Sequence, residues 1–253
     1  HRSITQNADF LNPDFPPVII GAAGFQKYVS DLRLEFPSSN EILVFDSGNF
    51  FQGHPLGIVD SGKTIIDWMN KVGYNALVPA QYDFIFGYEN LISLSKRANF
   101  PFVASNLIFE ETKEHLFEPY IIINSNNKRI GVLGIIPSNL NDLVLGSNIN
   151  GLEIESEIES VNKWVKELKN KNVDSIILLL SLGVPWDRED VYNDFVEKYD
   201  KEKSIKPKNS IELGYFAKDV DFIFSGGASK GYDKPWYDPY SHVYTFQNYG
   251  NLT

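Results

Sequence analysis

The chain has 253 residues, with 33 acidic and 23 basic side chains, a net charge of −10, four histidines and no cysteine. A chain of this length can bury one large core, and we interpret residues 1–253 as a single domain. The negative charge disfavours nucleic acid as a partner, because phosphate backbones reward clustered Lys and Arg. Without cysteine there can be no disulfide, thiolate zinc site, iron–sulfur cluster or cysteine nucleophile. The longest apolar run, 176–184, is far shorter than the roughly 20 residues that cross a bilayer, so no membrane insertion is expected.

Apolar periodicity predicts alternating helices and strands, which is typical of an α/β fold. The first half is predicted to contain a helix over 25–36, a strand over 42–45, a helix over 65–72, and strands over 75–78 and 102–105. The second half is predicted to contain a hairpin over 120–136, a helix over 153–171 and strands over 175–180 and 222–224. The charged stretch 187–210 is interpreted as an exposed insertion of helix and loop.

Four of the predicted strands end in loops of small and polar residues. These loops are Asp46–Asn49, Ala80–Asp83, Ser181–Gly183 and Ser225–Ser229. Ligands of open α/β sheets lie outside the carboxyl ends of the strands, so we expect these loops to line one crevice. The candidate lining residues are Asp46, Asn49, Gln81, Tyr82, Asp83, His54 and Ser181.

Motifs along most of the chain carry a resemblance to a known family. They are GAAG at 21–24, LVFDSGNFFQG at 43–53, GYNA at 73–76, FIFG at 84–87, FPFVASN at 100–106 and KRIGVLGI at 128–135. In this order they resemble the calcineurin-like metallophosphoesterases, and among these the 5'-nucleotidase and 2',3'-cyclic phosphodiesterase branch. The resemblance implies a four-layer α/β/β/α sandwich with two mixed sheets and two divalent metals on the strand-end loops. It also implies that the first metal-motif strand precedes residue 1 and that the protein is exported to the periplasm or cell surface.

The chain departs from that family's metal motifs at almost every position. Asn49 stands at the bridging aspartate, Gln81 at the asparagine ligand, Tyr82 at the catalytic histidine, and Ser181, Gly227 and Ser229 at ligand histidines. A two-metal centre needs a bridging carboxylate to offset the repulsion between its dications, and neutral Asn49 cannot supply one. We therefore expect no metal cofactor and no catalytic residue, with His1, Asp46 and Asp83 as the remaining weak contributors to a metal site.

Three hypotheses about function follow. The first is a pseudoenzyme, a degenerate metallophosphoesterase that acts as a binding or scaffold component with a protein partner. The alternative is a 5'-nucleotidase-like phosphoesterase that uses Mn, Zn or Mg at an atypical, single-metal site formed by Asn49, Gln81, Asp83 and residues ahead of His1. The third is pairing with a separate chain that resembles the family's C-terminal domain.

Overall fold

A computed structural model describes residues 21–36, 42–51, 55–227 and 231–247, and the backbone of two short strands before them. The predictions that concern His1, His54 and Ser229 lie outside the described residues.

Helices and strands alternate along the chain, in agreement with the predicted α/β class. The strands are β1 (Gln6–Asn7), β2 (Val18–Ile19), β3 (Phe45–Asp46), β4 (Ala76–Leu77), β5 (Leu107–Phe109), β6 (Tyr120–Ser125), β7 (Lys128–Ile135), β8 (Leu152–Ile154), β9 (Ser175–Leu180), β10 (Phe222–Ser225), β11 (Trp236–Tyr237) and β12 (Tyr244–Gln247). The α-helices are α1 (Gly21–Glu35), α2 (Pro55–Val59), α3 (Lys63–Val72), α4 (Tyr88–Arg97), α5 (Leu140–Leu143), α6 (Glu157–Asn170), α7 (Arg188–Lys201) and α8 (Ser210–Gly214). Two short 3-10 helices span Gln81–Phe86 and Gly146–Asn148.

The largest sheet of the described residues has six strands in the order β11-β12-β10-β9-β7-β6. Its central strand β9 runs parallel to β7 and β10, with Leu178 opposite Leu133 and Ile223. Five of the six residues of β9 are buried, as expected for a central parallel strand covered on both faces. The predicted hairpin is β6–β7, and its turn residues Asn126 and Asn127 both have positive φ, as a two-residue hairpin turn requires.

The core lies on both faces of this sheet. Because side chains alternate along a strand, Ile177 and Leu179 of β9 belong to one hydrophobic cluster, and Leu178 belongs to another. The first cluster includes buried residues of α3 and α4, and the second includes those of α6 and α8. The prediction of two facing sheets in four layers remains a prediction.

Several predicted elements differ from the structure. The strand predicted over 42–45 is confined to β3, which pairs with β4. The helix predicted over 153–171 begins at Glu157, because Leu152–Ile154 pairs as β8 with β5. Ser156 caps the helix, since its side-chain oxygen accepts the Glu159 N–H at 3.4 Å. The strand predicted over 102–105 forms only isolated bridges.

The charged stretch 187–210 contains α7, which exposes its charged side chains and buries Tyr192 and Phe195. None of the helices in the described part of the chain is both long and apolar enough to cross a membrane.

Candidate functional site

The structure brings the strand-end loops into contact. The Ser47 hydroxyl donates to the carbonyl of Phe224 at 2.7 Å, and the Gly183 N–H donates to the carbonyl of Gly226 at 2.9 Å. Contacts between the first two loops run through Asp83 and Asn49. We call residues 46–51, 80–83, 181–183 and 225–227 the loop cluster; Ser229, in the last predicted loop, lies outside the described residues.

Asp83 ties two of these loops together from a fully buried position. Its carboxylate accepts three backbone N–H groups, from Asn49 at 2.7 Å, Phe50 at 2.9 Å and Ala80 at 2.9 Å. Burial raises the pKa of Asp83 to about 8, with the three N–H donors acting in the opposite direction and the nearby Asp46 adding to the rise. The carboxylate thus holds the backbone of both loops in place.

Asn49 uses its whole side-chain amide within the loop cluster. Its oxygen accepts the Tyr82 N–H at 2.9 Å, and its nitrogen lies 3.5 Å from the Ser181 hydroxyl oxygen, to which it donates. The residue has a φ of 63°, a left-handed conformation that asparagine tolerates better than most residues. The side chain at the family's bridging position is therefore a link between loops.

Asp46 is the last residue of β3 and the first residue of the loop cluster. One of its carboxylate oxygens accepts the Gly48 N–H at 2.8 Å, an interaction that shapes the turn after the strand. Burial raises the pKa of Asp46 to about 6, and the Gly48 hydrogen bond acts in the opposite direction. Its observed contact is local, within the same loop.

Gly226 and Gly227 let the last loop approach the others closely. A Cβ on Gly226 would lie 2.8 Å from the Ser47 carbonyl oxygen, which is closer than real Cβ contacts. Gly227 has a φ of 92°, and a Cβ there would lie 3.0 Å from the Gly183 nitrogen. A histidine at position 227 would therefore require the neighbouring loops to separate.

Gln81 and Tyr82 differ from the rest of the cluster. The Gln81 side-chain oxygen is buried and has no hydrogen-bond partner among the described residues. The Tyr82 side chain is exposed, and only its backbone N–H contacts Asn49. Within the cluster, Gln81 therefore has a polar atom without a hydrogen bond among the described residues, and Tyr82 has an exposed ring.

The donor set does not fit the two-metal centre that the resemblance implies. In the described residues no group of three or more His, Asp or Glu side chains lies close enough together to hold a metal ion. The Asp83 carboxylate and the Asn49 amide oxygen already accept backbone N–H groups, and Gly227 has no donor side chain. A metal would have to displace these hydrogen bonds, so we derive no catalytic step through one.

The two histidines in the described residues lie in other contacts. The His115 ring packs edge-on against Trp164, and burial lowers its pKa. The His242 Nδ1 atom is hydrogen-bonded to the Tyr237 hydroxyl at 2.7 Å. Neither is among the residues that form the loop cluster.

Sequence reasoning missed two features of this region. Ser47 and Gly226 were expected only as loop residues, although they make the closest contact between the first and last loops. The small residues Ser47 and Gly48 before Asn49 and the glycines after β10 were the available signal, since close approach of two backbones requires small residues. Ile85 and Phe86 belong to the FIFG motif, but their exposure was not predicted.

Several curated proteins resemble this chain in sequence. They include a 5'-nucleotidase of Vibrio cholerae, 25% identical over 162 residues, which cover 64% of this chain and 29% of that protein. A 2',3'-cyclic-nucleotide 2'-phosphodiesterase/3'-nucleotidase of Haemophilus influenzae is 27% identical over 179 residues, 63% of this chain and 27% of its own length. A 5'-nucleotidase of Bos taurus is 28% identical over 173 residues, 66% of this chain and 29% of the relative. The chain therefore spans less than a third of the length of these relatives.

Solved structures show the same fold. The sulfate thiohydrolase SoxB of Thermus thermophilus superposes with a TM-score of 0.73 at 18% identity, covering 97% of this chain and 41% of the other. The calcineurin-like phosphoesterase YfkN of Bacillus subtilis superposes with a TM-score of 0.67 at 20% identity, covering 90% of this chain and 73% of the other. No protein-family model matches the chain. The α/β fold and the resemblance to calcineurin-like phosphoesterases of the 5'-nucleotidase and 2',3'-cyclic phosphodiesterase branch are thereby confirmed.

Proposed function

We propose that this chain is a non-catalytic binding component with a phosphoesterase fold, in which the loop cluster stands in place of a two-metal centre. The observation that carries the proposal is the hydrogen bonding of Asp83, whose carboxylate accepts three backbone N–H groups from two loops. That carboxylate has a structural role that the fold needs at all times. It is therefore a poor candidate for a metal ligand.

The surrounding side chains support the same proposal. Hydrolysis by a two-metal centre needs a bridging carboxylate and donors that are free to coordinate. Asn49 is neutral, and its amide oxygen accepts the Tyr82 N–H. Ser181 accepts a hydrogen bond from the Asn49 amide. The loop cluster uses its polar groups to join loops, which favours a surface that binds a partner over a site that turns over a substrate.

The test measures metal content and turnover on the same preparation. The purified chain is incubated with Mn²⁺ or Zn²⁺, dialysed, and analysed by mass spectrometry for bound metal and by hydrolysis of p-nitrophenyl phosphate and of a 5'-nucleotide. We expect no stoichiometric metal and no turnover above a metal-only blank. Stoichiometric metal with turnover that is lost in Asn49→Ala, but kept in the exposed-site control Asp142→Asn, would overturn the proposal.

A metal-dependent phosphoesterase with an atypical site is the second candidate. The names of the curated relatives favour it over the binding role, since they are nucleotidases and cyclic phosphodiesterases. One observation in the structure also favours it, because the buried Gln81 oxygen lacks a hydrogen-bond partner among the described residues and keeps the amide chemistry of the family's asparagine ligand. In this candidate Asn49, Gln81, Asp83 and residues ahead of His1 would form a single-metal site using Mn, Zn or Mg.

Gln81 provides the test between the two candidates. Gln81→Leu removes the amide oxygen and keeps a similar length of side chain. If this candidate holds, the variant loses metal binding and turnover together. If the binding role holds, neither the metal content nor the background rate changes.

We also propose pairing with a separate chain that resembles the rest of the relatives. The support is that the curated relatives are more than three times as long as the part this chain matches, which is 29% in the Vibrio cholerae protein. Export to the periplasm or cell surface belongs to the same proposal, and one solved structure with a TM-score of 0.66 is described as a 5'-nucleotidase precursor. Co-purification from the native source, with fractionation of its compartments, tests both.

A further inference from the structure

Exposed apolar side chains gather on elements that border the loop cluster. They are Ile58 and Val59 of α2, Ile85 and Phe86 of the first 3-10 helix, and Leu143 and Leu145 around the end of α5. Val59 is 84% exposed and Leu145 is 73% exposed, far above the usual exposure of such side chains. We call these six residues the apolar ridge.

Direct contacts join the three elements of the ridge. Helix α2 lies against Phe51, since a Cβ on Gly57 would meet the Phe51 carbonyl oxygen at 1.9 Å. The ring of Phe51 stacks on Phe86, with centroids 6.1 Å apart. The Asn148 amide donates to the carbonyls of Phe84 and Ile85 at 2.9 and 3.0 Å, which holds the loop after α5 against the 3-10 helix. The ridge residues are therefore carried by one connected region.

The charged side chains of the same segments are all acidic. Residues 55–62, 81–89 and 139–149 contain no Lys or Arg, and their acidic residues outside the buried Asp83 are Asp60, Glu89 and Asp142. An apolar surface with carboxylates around it is complementary to apolar side chains flanked by basic ones. A second copy of this chain, with its own charge of −10, and an anionic membrane are both disfavoured by repulsion.

We propose that the apolar ridge is a docking surface for a protein segment whose large apolar side chains are flanked by Lys or Arg. The choice of a protein partner rests on the binding role proposed above, and the ridge itself adds where the partner lies and what its chemistry is. Burial of the exposed side chains drives association, and the carboxylates select the partner's charge.

The test uses two labelled synthetic peptides that share one helical spacing of Leu and Phe. The flanking residues are Lys in the first peptide and Glu in the second. Fluorescence anisotropy at low salt is expected to show binding of the Lys peptide and at least about tenfold weaker binding of the Glu peptide. Equal binding of both peptides would overturn the proposed charge selection.

Matched variants place the binding on the ridge. The double variant Val59→Ser with Leu145→Ser is expected to bind the Lys peptide about tenfold more weakly. The control double variant Leu34→Ser with Trp186→Ser, at side chains that are 77% and 67% exposed, should bind it as tightly as the unchanged chain. The charge reversals Glu89→Lys and Asp142→Lys are expected to weaken binding of the Lys peptide. The control reversals Asp194→Lys, in α7, and Glu202→Lys, just after it, change the net charge by the same amount and should weaken binding less. Far-ultraviolet circular dichroism checks the fold of each variant.

Two results would overturn the proposal. One is an equal loss of binding in the ridge variants and their matched controls, which would indicate general attraction to an acidic protein. The other is a dimer of the free chain, detected by sedimentation and abolished by Val59→Ser with Leu145→Ser, which would make a second copy the occupant. Neither result bears on metal content or turnover, so failure of this proposal is distinguishable from failure of the proposed function.

Discussion

The loop cluster and the apolar ridge are neighbours with opposite character. In the loop cluster, carboxyl and amide groups such as those of Asp83 and Asn49 make hydrogen bonds inside the protein. On the ridge, apolar side chains such as Val59 and Leu145 lie in solvent. A buried polar group is costly unless it is paired, whereas an exposed apolar group loses nothing when a partner covers it.

The two neighbouring regions therefore have different roles: the loop cluster stabilises the fold, and the ridge is available for binding. Substitutions in the loop cluster should act on stability, because its groups hold the loops together. Substitutions at the most exposed ridge residues, Val59 and Leu145, should leave stability nearly unchanged, because these side chains lie mostly in solvent.

The largest effect is expected at Asp83. Asp83→Ala leaves three backbone N–H groups without their acceptor, one in a buried and two in partly buried hydrogen bonds, and a buried unsatisfied donor costs about 1 to 3 kcal/mol. We expect the free energy of unfolding to fall by about 3 kcal/mol or more in urea denaturation. The exposed Asp142→Ala serves as the control and should change it by less than about 0.5 kcal/mol. Similar effects of the two substitutions would contradict the structural role of Asp83.

A smaller effect is expected at the contact between the first and last loops. Gly226→Ala places a Cβ 2.8 Å from the Ser47 carbonyl oxygen, and the resulting shift of the loops should cost about 1 to 3 kcal/mol of unfolding free energy. Gly146→Ala is the matched control, because a Cβ at Gly146 has no neighbour within 4 Å. Thermal unfolding of both variants compares them. A neutral Gly226→Ala would mean that the loops can separate freely, as a metal site would need.

The pH dependence of stability provides a third test. Burial raises the pKa of Asp46 to about 6 and that of Asp83 to about 8, so the folded chain holds both protons more tightly than the unfolded chain. The stability that this contributes is fully present below the unfolded pKa and is lost as the pH rises through the folded values. The unfolding free energy should therefore decrease between about pH 4, near the ordinary pKa of the two carboxyls, and about pH 8.

The variant Asp46→Asn tests whether Asp46 causes the loss of stability in the lower part of this pH range. Asp46→Asn keeps an oxygen for the Gly48 N–H and removes the titrating group, so the decrease between about pH 4 and pH 6 should become less steep. The decrease between about pH 6 and pH 8, which Asp83 contributes, should persist. Stability that stays constant over the same interval would show that both carboxylates are ionised in the folded chain.

The smallest effect is expected on the ridge. Val59→Ser should change the unfolding free energy by less than about 0.5 kcal/mol, because the side chain is 84% exposed. Val78→Ser, at a fully buried valine, is the contrasting variant and should cost more than about 1 kcal/mol. Urea denaturation of both measures the difference. A large loss at Val59 would place that side chain in the core and remove it from the ridge.

Much of the fold could be predicted from local patterns. The hairpin β6–β7 and the strands β9 and β10 follow from short apolar runs bounded by turn residues. The start of α6 could not, because Leu152–Ile154 continues an apolar pattern and its pairing with β5 depends on residues about 45 positions away. The strand predicted over 102–105 failed for a related reason, since its neighbours supply only single bridges.

The candidate site could be predicted in part. The convergence of the loops follows from the direction of parallel strands, and the structure brings Asn49, Asp83 and Ser181 together. Their hydrogen bonds could not be predicted, because a residue's type does not say whether its oxygens face a ligand or a neighbouring N–H. The three-way contact of Asp83 depends on backbone geometry that only the folded chain supplies. The roles of the individual site residues remain predictions.

The hydrogen bond between Ser47 and Phe224 spans 177 positions of sequence. It joins the end of β3 to the end of β10, and β10 can pair only after β9 and β7 have emerged from the ribosome. Contacts of such separation carry a high cost in chain entropy and form late in folding. In a nascent chain, Asp83 and Asn49 could therefore meet early, whereas Ser47 would lack its acceptor until most of the polypeptide has been synthesised.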